Sequence, residues 1–376
     1  MLTAQATTTV DFDLHGIVGI RLLDANPGDA AAVAGQLGPI QAKLDREPDI
    51  TIRFVDRLPN GSRVRLLGVD EAGFTDDSFL VLRSKHKSAA RVQIPFDRIG
   101  KQCEIVCESG LPAVPLLIPI LNVTALAKGA LPLHASAFGF NGKGVLTTGW
   151  SKGGKTETLL AFMAHGARYV GDEWVYITGD GKRMHGIPEP IRVWDWHLQY
   201  LPKYRALVSR SERARHRAIK LAQWLGWTMS QSRLRRTFPA RVMNRLMPVL
   251  KRQLFVDMHP VDLFGDEAGA SGVSLDKVFF VVSHESPDVT VCRMDPQEVA
   301  RRMVFSLQYE RQEFVSYYMK FRFAFPESAN DLVEQAEETQ RRMLERMLEK
   351  KDTYVVYHPY PVPIPSLFDA MSPLIK

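Results

Sequence analysis

The sequence is poor in cysteine, in long apolar runs and in internal repeats, and each absence excludes a class of protein. Its three cysteines are an odd and low number, which argues against a disulfide-stapled secreted domain and favours reduced thiols. No apolar run reaches the 18 residues that indicate a membrane-spanning helix. The N-terminus lacks the basic-then-apolar layout of a secretory signal. We therefore expect a cytoplasmic protein.

Two of the cysteines, Cys103 and Cys107, lie in an alternating segment that predicts a strand. Their spacing places both side chains on one face of that strand. No second cluster of Cys or His in the sequence completes a metal site with them. We therefore interpret both as buried apolar residues.

The distribution of strand-like and helix-like segments predicts two α/β domains. Residues 1–108 contain short alternating segments between Gly, Asp and Asn turns, with one helix predicted over 27–44, and form a small N-terminal domain. A buried helix over 116–130 then begins a second domain, 109–376, in which strands and helices alternate. Long helices are predicted over 295–318, capped by Asp295, and over 328–351.

One stretch of the second domain, GWSKGGKT, satisfies the phosphate-loop pattern G-x-x-x-x-G-K-[ST]. It lies between a predicted strand, 144–148, and a predicted helix, 156–165, where the loop amides and the helix N-terminus can cradle phosphate oxygens. Lys155 would reach the β- and γ-phosphates, and the Thr156 hydroxyl would ligate Mg²⁺. The alternative is a structural glycine turn. We predict binding of ATP and Mg²⁺ by a loop consisting of Gly149, Trp150, Ser151, Lys152, Gly153, Gly154, Lys155 and Thr156.

Two neighbouring acids, Asp172 and Glu173, follow the helix in a segment, 167–177, that predicts a single strand. Adjacent residues of a strand face opposite sides, so one of the two should face the core beside the loop. There it could hold Mg²⁺ or accept the proton of an attacking hydroxyl. The alternative is a surface strand whose acids face water.

These motifs, in their order along the chain, resemble the catalytic domain of HPr kinase/phosphorylase, a family of phosphoenolpyruvate-carboxykinase-like P-loop enzymes. The resemblance rests on His134-Ala135-Ser136, on the loop followed directly by Glu157, and on the two acids in HGARYVGDEW. It is close over residues 131–178. It extends weakly to GIPEPIRVW, to VFFVVSH and to the C-terminal HPYPVPIPSL.

The resemblance implies a PEP-carboxykinase-like P-loop kinase domain with a mixed sheet, preceded by the small α/β domain. Asp172 matches the catalytic base, and Glu173 takes the second acidic position, where the family usually has Asp. Thr156, Asp172 and Glu173 would then be the metal ligands, and Glu157 joins the nucleotide-binding residues. Lys155 and His134 are implied as catalytic groups near the transferred phosphate, although the residues alone favour a core histidine at His134. Arg192 could contact phosphate, but its local motif is not specific.

Several departures from the family affect the function that we expect. Trp150 and Lys152 are bulky for this loop, the phosphorylase-specific region is not recognisable, and residues 1–108 do not match the family's N-terminal domain. We therefore expect an ATP- and Mg²⁺-dependent kinase that phosphorylates a Ser-type hydroxyl of a protein, peptide or small molecule, and we leave open whether the reverse phosphorolysis occurs. Relatives form oligomers, so the resemblance suggests a homo-oligomer.

The basic character of the protein belongs to one segment. Residues 201–252 contain 14 Lys and Arg and one acid, whereas the rest of the chain has 34 basic and 41 acidic residues. The segment predicts a basic helical insertion at about 200–255. A solvated insertion, a docking surface for an acidic partner or membrane, and a nucleic-acid site without any known binding motif stay open as interpretations. If the segment holds a partner, the protein could be a nucleotide-gated binding protein rather than a kinase. An ordinary ATPase is a third alternative.

Overall fold

The computed structural model is a mixed α/β protein with two large mixed β-sheets, in agreement with the predicted α/β class. It describes residues 8–58, 63–83, 89–231, 245, 250, 253–265, 268–269 and 271–376. Most of the second half of the predicted basic insertion lies outside these residues. None of the described helices has the length and apolarity needed to cross a membrane.

The first sheet is built from strands that all precede residue 109. Its strands are β1 (Thr8–Leu14), β2 (Val18–Ala25), β3 (Ile50–Val55), β4 (Arg65–Leu67), β5 (Ala72–Phe74), β6 (Phe79–Arg83), β7 (Ala89–Gln93) and β8 (Cys103–Glu108). They are ordered β1-β2-β3-β8-β7-β6-β5-β4, with β2–β3 and β3–β8 parallel and the other pairs antiparallel. Cys103 and Cys107 are both buried on one face of β8, as predicted, and burial raises the pKa of each thiol to about 12.

Helix α1 (Pro27–Leu37) packs against this sheet and is shorter than predicted. It begins at Asn26, whose side chain accepts hydrogen bonds from the backbone N–H groups of Gly28 and Asp29. It ends where Gly38 adopts a φ of 67° and Pro39 follows, because neither residue continues a helix.

The second sheet carries the phosphate loop. Its strands are β9 (Leu131–Phe140), β10 (Lys143–Gly149), β11 (Arg168–Gly171), β12 (Trp174–Ile177), β13 (Arg183–Gly186), β16 (Val273–Ser274), β17 (Lys277–Ser283), β18 (Thr290–Arg293) and β19 (Asp352–His358), whereas β14 (Ile191–Trp194) and β15 (Phe255–Met258) form a separate pair. Strand β10 is antiparallel to β9 and parallel to β17, which is parallel to β19. An Asn141-Gly142 hairpin turn joins β9 to β10, with both residues at positive φ.

The remaining described helices include counterparts of those predicted over 116–130, 156–165, 295–318 and 328–351, with different bounds, and short helices that were not predicted. They are α2 (Leu117–Ala127), α3 (Lys155–Met163), α4 (His197–Tyr200), α5 (Pro202–Arg205), α6 (Arg210–Gln231), α7 (Pro260–Phe264), α8 (Pro296–Ala324), α9 (Asp331–Glu334), α10 (Ala336–Leu348) and α11 (Ile364–Met371). Asp295 caps α8 as predicted, by accepting a hydrogen bond from the backbone N–H of Gln297. The single helix predicted over 328–351 is wrong. It is divided into α9 and α10 at Gln335, whose φ of −96° and ψ of 3° interrupt the helical geometry.

Helix α8 contacts the cores beside both sheets. Near its start, Met303 and Leu307 are buried with side chains of the second sheet. Near its end, Phe314 and Phe321 join the core of the first sheet through Phe96, with ring centroids 5.5 Å apart in each case. One long helix therefore packs into the cores of both sheets.

A buried asparagine, Asn330, fixes the chain between α8 and α9 to the first sheet's core. Its side-chain Nδ2 donates hydrogen bonds to the carbonyl oxygens of Phe96, at 2.7 Å, and Ile99, at 2.9 Å. Its Oδ1 accepts a hydrogen bond from the backbone N–H of Leu332 at 3.1 Å. These buried carbonyl groups depend on the amide for their partners.

Substituting Asn330 by Ala removes these bonds and leaves buried carbonyl groups without their donor. We expect Asn330→Ala to lower the free energy of unfolding by about 3 kcal/mol, measured by urea denaturation. Glu327→Ala, at an exposed position of the same connection, is the control and should change stability by less than about 0.5 kcal/mol. Equal stabilities of the two variants would show that the asparagine does not anchor this connection.

Candidate active site

The phosphate loop joins β10 to α3, at the edge where the parallel strands β10, β17 and β19 end. Its close packing explains one of its glycines. Gly154 has a φ of 106°, and a Cβ atom there would lie 2.3 Å from Nε2 of the buried His358 at the end of β19. The same Nε2 lies 2.8 Å from the carbonyl oxygen of Gly153. His358 thus packs against the loop at Gly153 and Gly154, and its sequence signal was its place at the start of the weakly matching HPYPVPIPSL.

Lys155, the first residue of α3, is only 6% exposed. Its Nζ donates a hydrogen bond to the carbonyl oxygen of Trp150 at 2.9 Å, so the ammonium group lies across the loop. Burial lowers the pKa of Lys155, although the nearby carboxylates of Glu173 and Asp172 oppose that change. A phosphate group at the loop would offer this ammonium a stronger partner than the carbonyl.

Thr156 and Asp172 are in direct contact. The Thr156 hydroxyl donates a hydrogen bond to Oδ2 of Asp172 at 2.8 Å. Burial and the neighbouring charge of Glu173 raise the pKa of Asp172 to about 7, and the bond from Thr156 only partly opposes this. A buried carboxyl with a pKa near neutrality is suited to accept a proton at physiological pH.

The orientation predicted for the two acids is wrong. Asp172 and Glu173 do not lie inside one strand, because β11 ends at Gly171 and β12 begins at Trp174. Glu173 has a φ of 66°, which breaks the alternation of side chains along an extended chain. Both carboxylates therefore approach Lys155 instead of facing opposite sides of a sheet.

His134, on β9, lies between two carboxylates. Its Nε2 is 2.8 Å from Oε2 of Glu173, and its Nδ1 is 2.9 Å from Oε1 of Glu310, the latter an ion-pair contact without hydrogen-bond geometry. Burial disfavours the imidazolium, but the two carboxylates outweigh burial and raise the pKa of His134. The core histidine favoured by the residues alone is thus buried, and it is also part of the charged cluster.

Two acids of the cluster were missed from the sequence. Glu310 comes from α8 and belongs to no local motif. Glu189 precedes β14 within the weakly matching GIPEPIRVW, which was the only signal for it. Burial and the charges of Glu173 and Asp172 raise the pKa of Glu189 to about 8, and its Oε1 has no hydrogen-bond partner among the described residues.

Two other predicted residues make contacts away from this cluster. Glu157 faces His197, at the start of α4, with 3.2 Å between its Oε1 and the buried Nε2. Burial opposes ionisation there, but the hydrogen bond from His197 outweighs it and lowers the pKa of Glu157. Arg192 is exposed on β14, where its Nε donates to Oδ1 of Asp257 at 3.2 Å and its guanidinium lies over Phe255.

The donor atoms present suit Mg²⁺ held jointly with phosphate better than a metal held by protein alone. No group of three or more His, Cys, Asp or Glu in the described part of the chain could hold a metal ion by itself. Mg²⁺ at phosphoryl-transfer sites takes one or two protein oxygens and completes its shell with phosphates and water. The adjacent oxygens of Thr156 and Asp172 fit that mode, whereas the Glu173 carboxylate contacts His134.

Comparison with models of protein families finds no matching family, and no curated protein matches the chain. The geometry nevertheless brings together Lys155, Thr156, Asp172, Glu173 and His134, which the sequence had singled out. What the cluster can do is therefore inferred from its own chemistry.

The raised pKa of Asp172 makes stability depend on pH. Its carboxyl ionises near pH 3.8 in the unfolded chain but near 7 in the folded protein, so the folded protein binds more protons between these values. The free energy of unfolding therefore falls as pH rises through this window. Asp172→Asn removes that loss, and we expect it to be stabilised relative to the unsubstituted protein by roughly 4 kcal/mol more at pH 8 than at pH 4, since one pKa unit corresponds to about 1.4 kcal/mol.

Urea unfolding in EDTA at a series of pH values measures this difference. Asp369→Asn, at an exposed position of α11, is the matched control and should follow the unsubstituted protein at every pH. A pH-independent effect of Asp172→Asn would mean that Asp172 is ionised normally in the folded protein.

Proposed function

We propose that the protein is an ATP- and Mg²⁺-dependent kinase of the HPr-kinase-like class. It transfers the γ-phosphoryl group to a Ser-type hydroxyl of a protein, peptide or small molecule. The observation that carries the proposal is the contact between Thr156, the last residue of the phosphate-loop pattern, and Asp172, a buried carboxyl with a pKa of about 7. A PEP-carboxykinase-like P-loop fold over residues 109–376, preceded by a small α/β domain, belongs to the same proposal.

In this proposal the loop binds the phosphates of the donor. Backbone N–H groups of the loop and the N-terminus of α3 face the phosphate oxygens. Lys155 exchanges the carbonyl oxygen of Trp150 for a phosphate oxygen, a charged partner that offsets the burial of the ammonium. Thr156 and an acid of the cluster would hold Mg²⁺, which when bound neutralises charge on the β- and γ-phosphates.

Asp172 accepts the proton of the attacking hydroxyl. Its pKa of about 7 suits it to accept a proton near neutral pH. Glu173 and Glu310 raise the pKa of His134 and so favour its imidazolium form, which would place positive charge beside the transferred group. Glu189, protonated at neutral pH by its raised pKa, limits the negative charge in the cluster.

Asp172→Asn separates binding from transfer. We expect phosphoryl transfer to fall by about 100-fold or more, because general-base catalysis contributes about that factor. Binding of ATP in EDTA, measured by calorimetry, should change little, because the loop and Lys155 remain and no metal ligand is tested. Lys155→Ala should instead weaken nucleotide binding, whereas Asp369→Asn should affect neither measurement.

Transfer is followed with γ-labelled ATP and lysate, in which the acceptor appears as a labelled band or metabolite. If Asp172→Asn labels the acceptor as well as the unsubstituted protein does, Asp172 is not the general base. Phosphate release without any labelled acceptor would indicate an ordinary ATPase.

A second candidate function is a nucleotide-gated binding protein, and helix α6 favours it. Leu221, Trp224 and Leu225 are exposed on this helix, next to basic residues of the 201–252 segment. Apolar and basic side chains on one helix suit an acidic partner. Such a protein would need the loop but not Asp172, so that Asp172→Asn would leave nucleotide-dependent capture of the partner intact.

A further inference from the structure

A cavity of about 530 Å³ lies beside the phosphate loop, and the proposed chemistry does not use it. Its walls come from three elements: five residues of the loop, the last four residues of β17, and three residues of α8. The cavity therefore opens directly from the place where the phosphates would lie. Its volume is within the range of small-molecule sites.

Two large aromatic side chains on the cavity wall are exposed. Trp150 of the loop is 51% exposed, and Phe305 of α8 is 63% exposed. Tyr309, one turn further along α8, packs against the indole with ring centroids 5.0 Å apart and does not line the cavity. Tyr309 thus packs against the indole from outside the cavity, and the indole itself lines the cavity. Grouped exposed aromatic side chains beside a polar site indicate a ligand.

A buried hydrogen bond joins the α8 wall of the cavity to the phosphate loop. The Ser306 hydroxyl of α8 donates to the carbonyl oxygen of Gly149 at 3.1 Å. Because Ser306 follows Phe305 directly, this bond fixes the position of this turn of α8, and with it the backbone of Phe305, relative to the loop. The wall contributed by β17 includes Phe280 and Val281, which give it an apolar surface.

We propose that this cavity holds the base of a nucleoside triphosphate whose phosphates lie on the loop. The inference rests on the proposed function, because it needs a nucleotide at the loop. A flat aromatic base matches the two exposed rings, and each ring that stacks on a base contributes measurably to affinity. This assignment explains Trp150, whose side chain the phosphate-loop pattern does not require.

Comparison of ATP with inorganic tripolyphosphate, both with Mg²⁺, tests the base site separately from the loop. We expect the unsubstituted protein to bind ATP more tightly than tripolyphosphate. Phe305→Ala should weaken ATP binding by about tenfold and leave tripolyphosphate binding within about twofold, and Trp150→Ala should weaken ATP binding more than tripolyphosphate binding. Trp150→Phe, which keeps an aromatic ring, should retain most of the affinity for ATP. The matched control is Phe323→Ala, at an exposed position on the same helix.

The outcomes distinguish the base site from the proposed function. If tripolyphosphate binds as tightly as ATP, or if Phe305→Ala leaves ATP binding unchanged, the base site is wrong while the phosphate loop stands. If Trp150→Ala weakens both ligands equally, the indole acts through the loop conformation, and the base site is again wrong. If neither ligand binds the unsubstituted protein, the proposed function fails, and the base site fails with it.

Discussion

The ammonium group of Lys155 is the charge on which the organisation of the site depends. A buried ammonium without compensating charge would cost several kcal/mol, so it must lie near anions. The N-terminus of α3 adds further positive potential at the same place. The compensating carboxylates come from separate parts of the chain: Asp172 and Glu173 from the break between β11 and β12, and Glu310 from α8. Positioning the lysine therefore requires that these elements pack together.

The acids near Lys155 also repel one another. Their environments differ, so that two of them have lowered pKa values and two have raised pKa values. Glu173 and Glu310 contact His134, and their pKa values are lowered although burial opposes ionisation. Asp172 and Glu189 have no contact with the imidazole, and burial with neighbouring charge raises their pKa values to about 7 and about 8. One histidine thus separates two carboxyl groups with lowered pKa values from two with raised pKa values. Groups whose environments push their pKa values apart are those that can divide acid and base roles.

The sequence predicted the parts of the site that are contiguous and missed those that tertiary packing supplies. The loop was found because strand, glycines, lysine and helix lie in one short stretch. The two acids were found, but their orientation was wrong, since a non-glycine residue at positive φ, such as Glu173, has no reliable signal. Glu310 reaches the site only because α8 runs along both sheets, and no local pattern marks it. The start of α8 was predicted from Asp295 and Pro296, whereas its end extends past the prediction because Phe321 is buried in the first sheet's core.

Trp150 connects the two halves of the proposed nucleotide site. Its carbonyl oxygen accepts the hydrogen bond of Lys155, whereas its indole forms part of the cavity wall. When Lys155 turns to a phosphate, the carbonyl keeps the hydrogen bond that the backbone N–H of Gly153 donates to it at 3.1 Å, so the turn of the loop and the position of the indole would be retained. The same residue could therefore present its indole to a base while the lysine binds phosphate. That arrangement would give a triphosphate attached to a base an advantage over an inorganic polyphosphate.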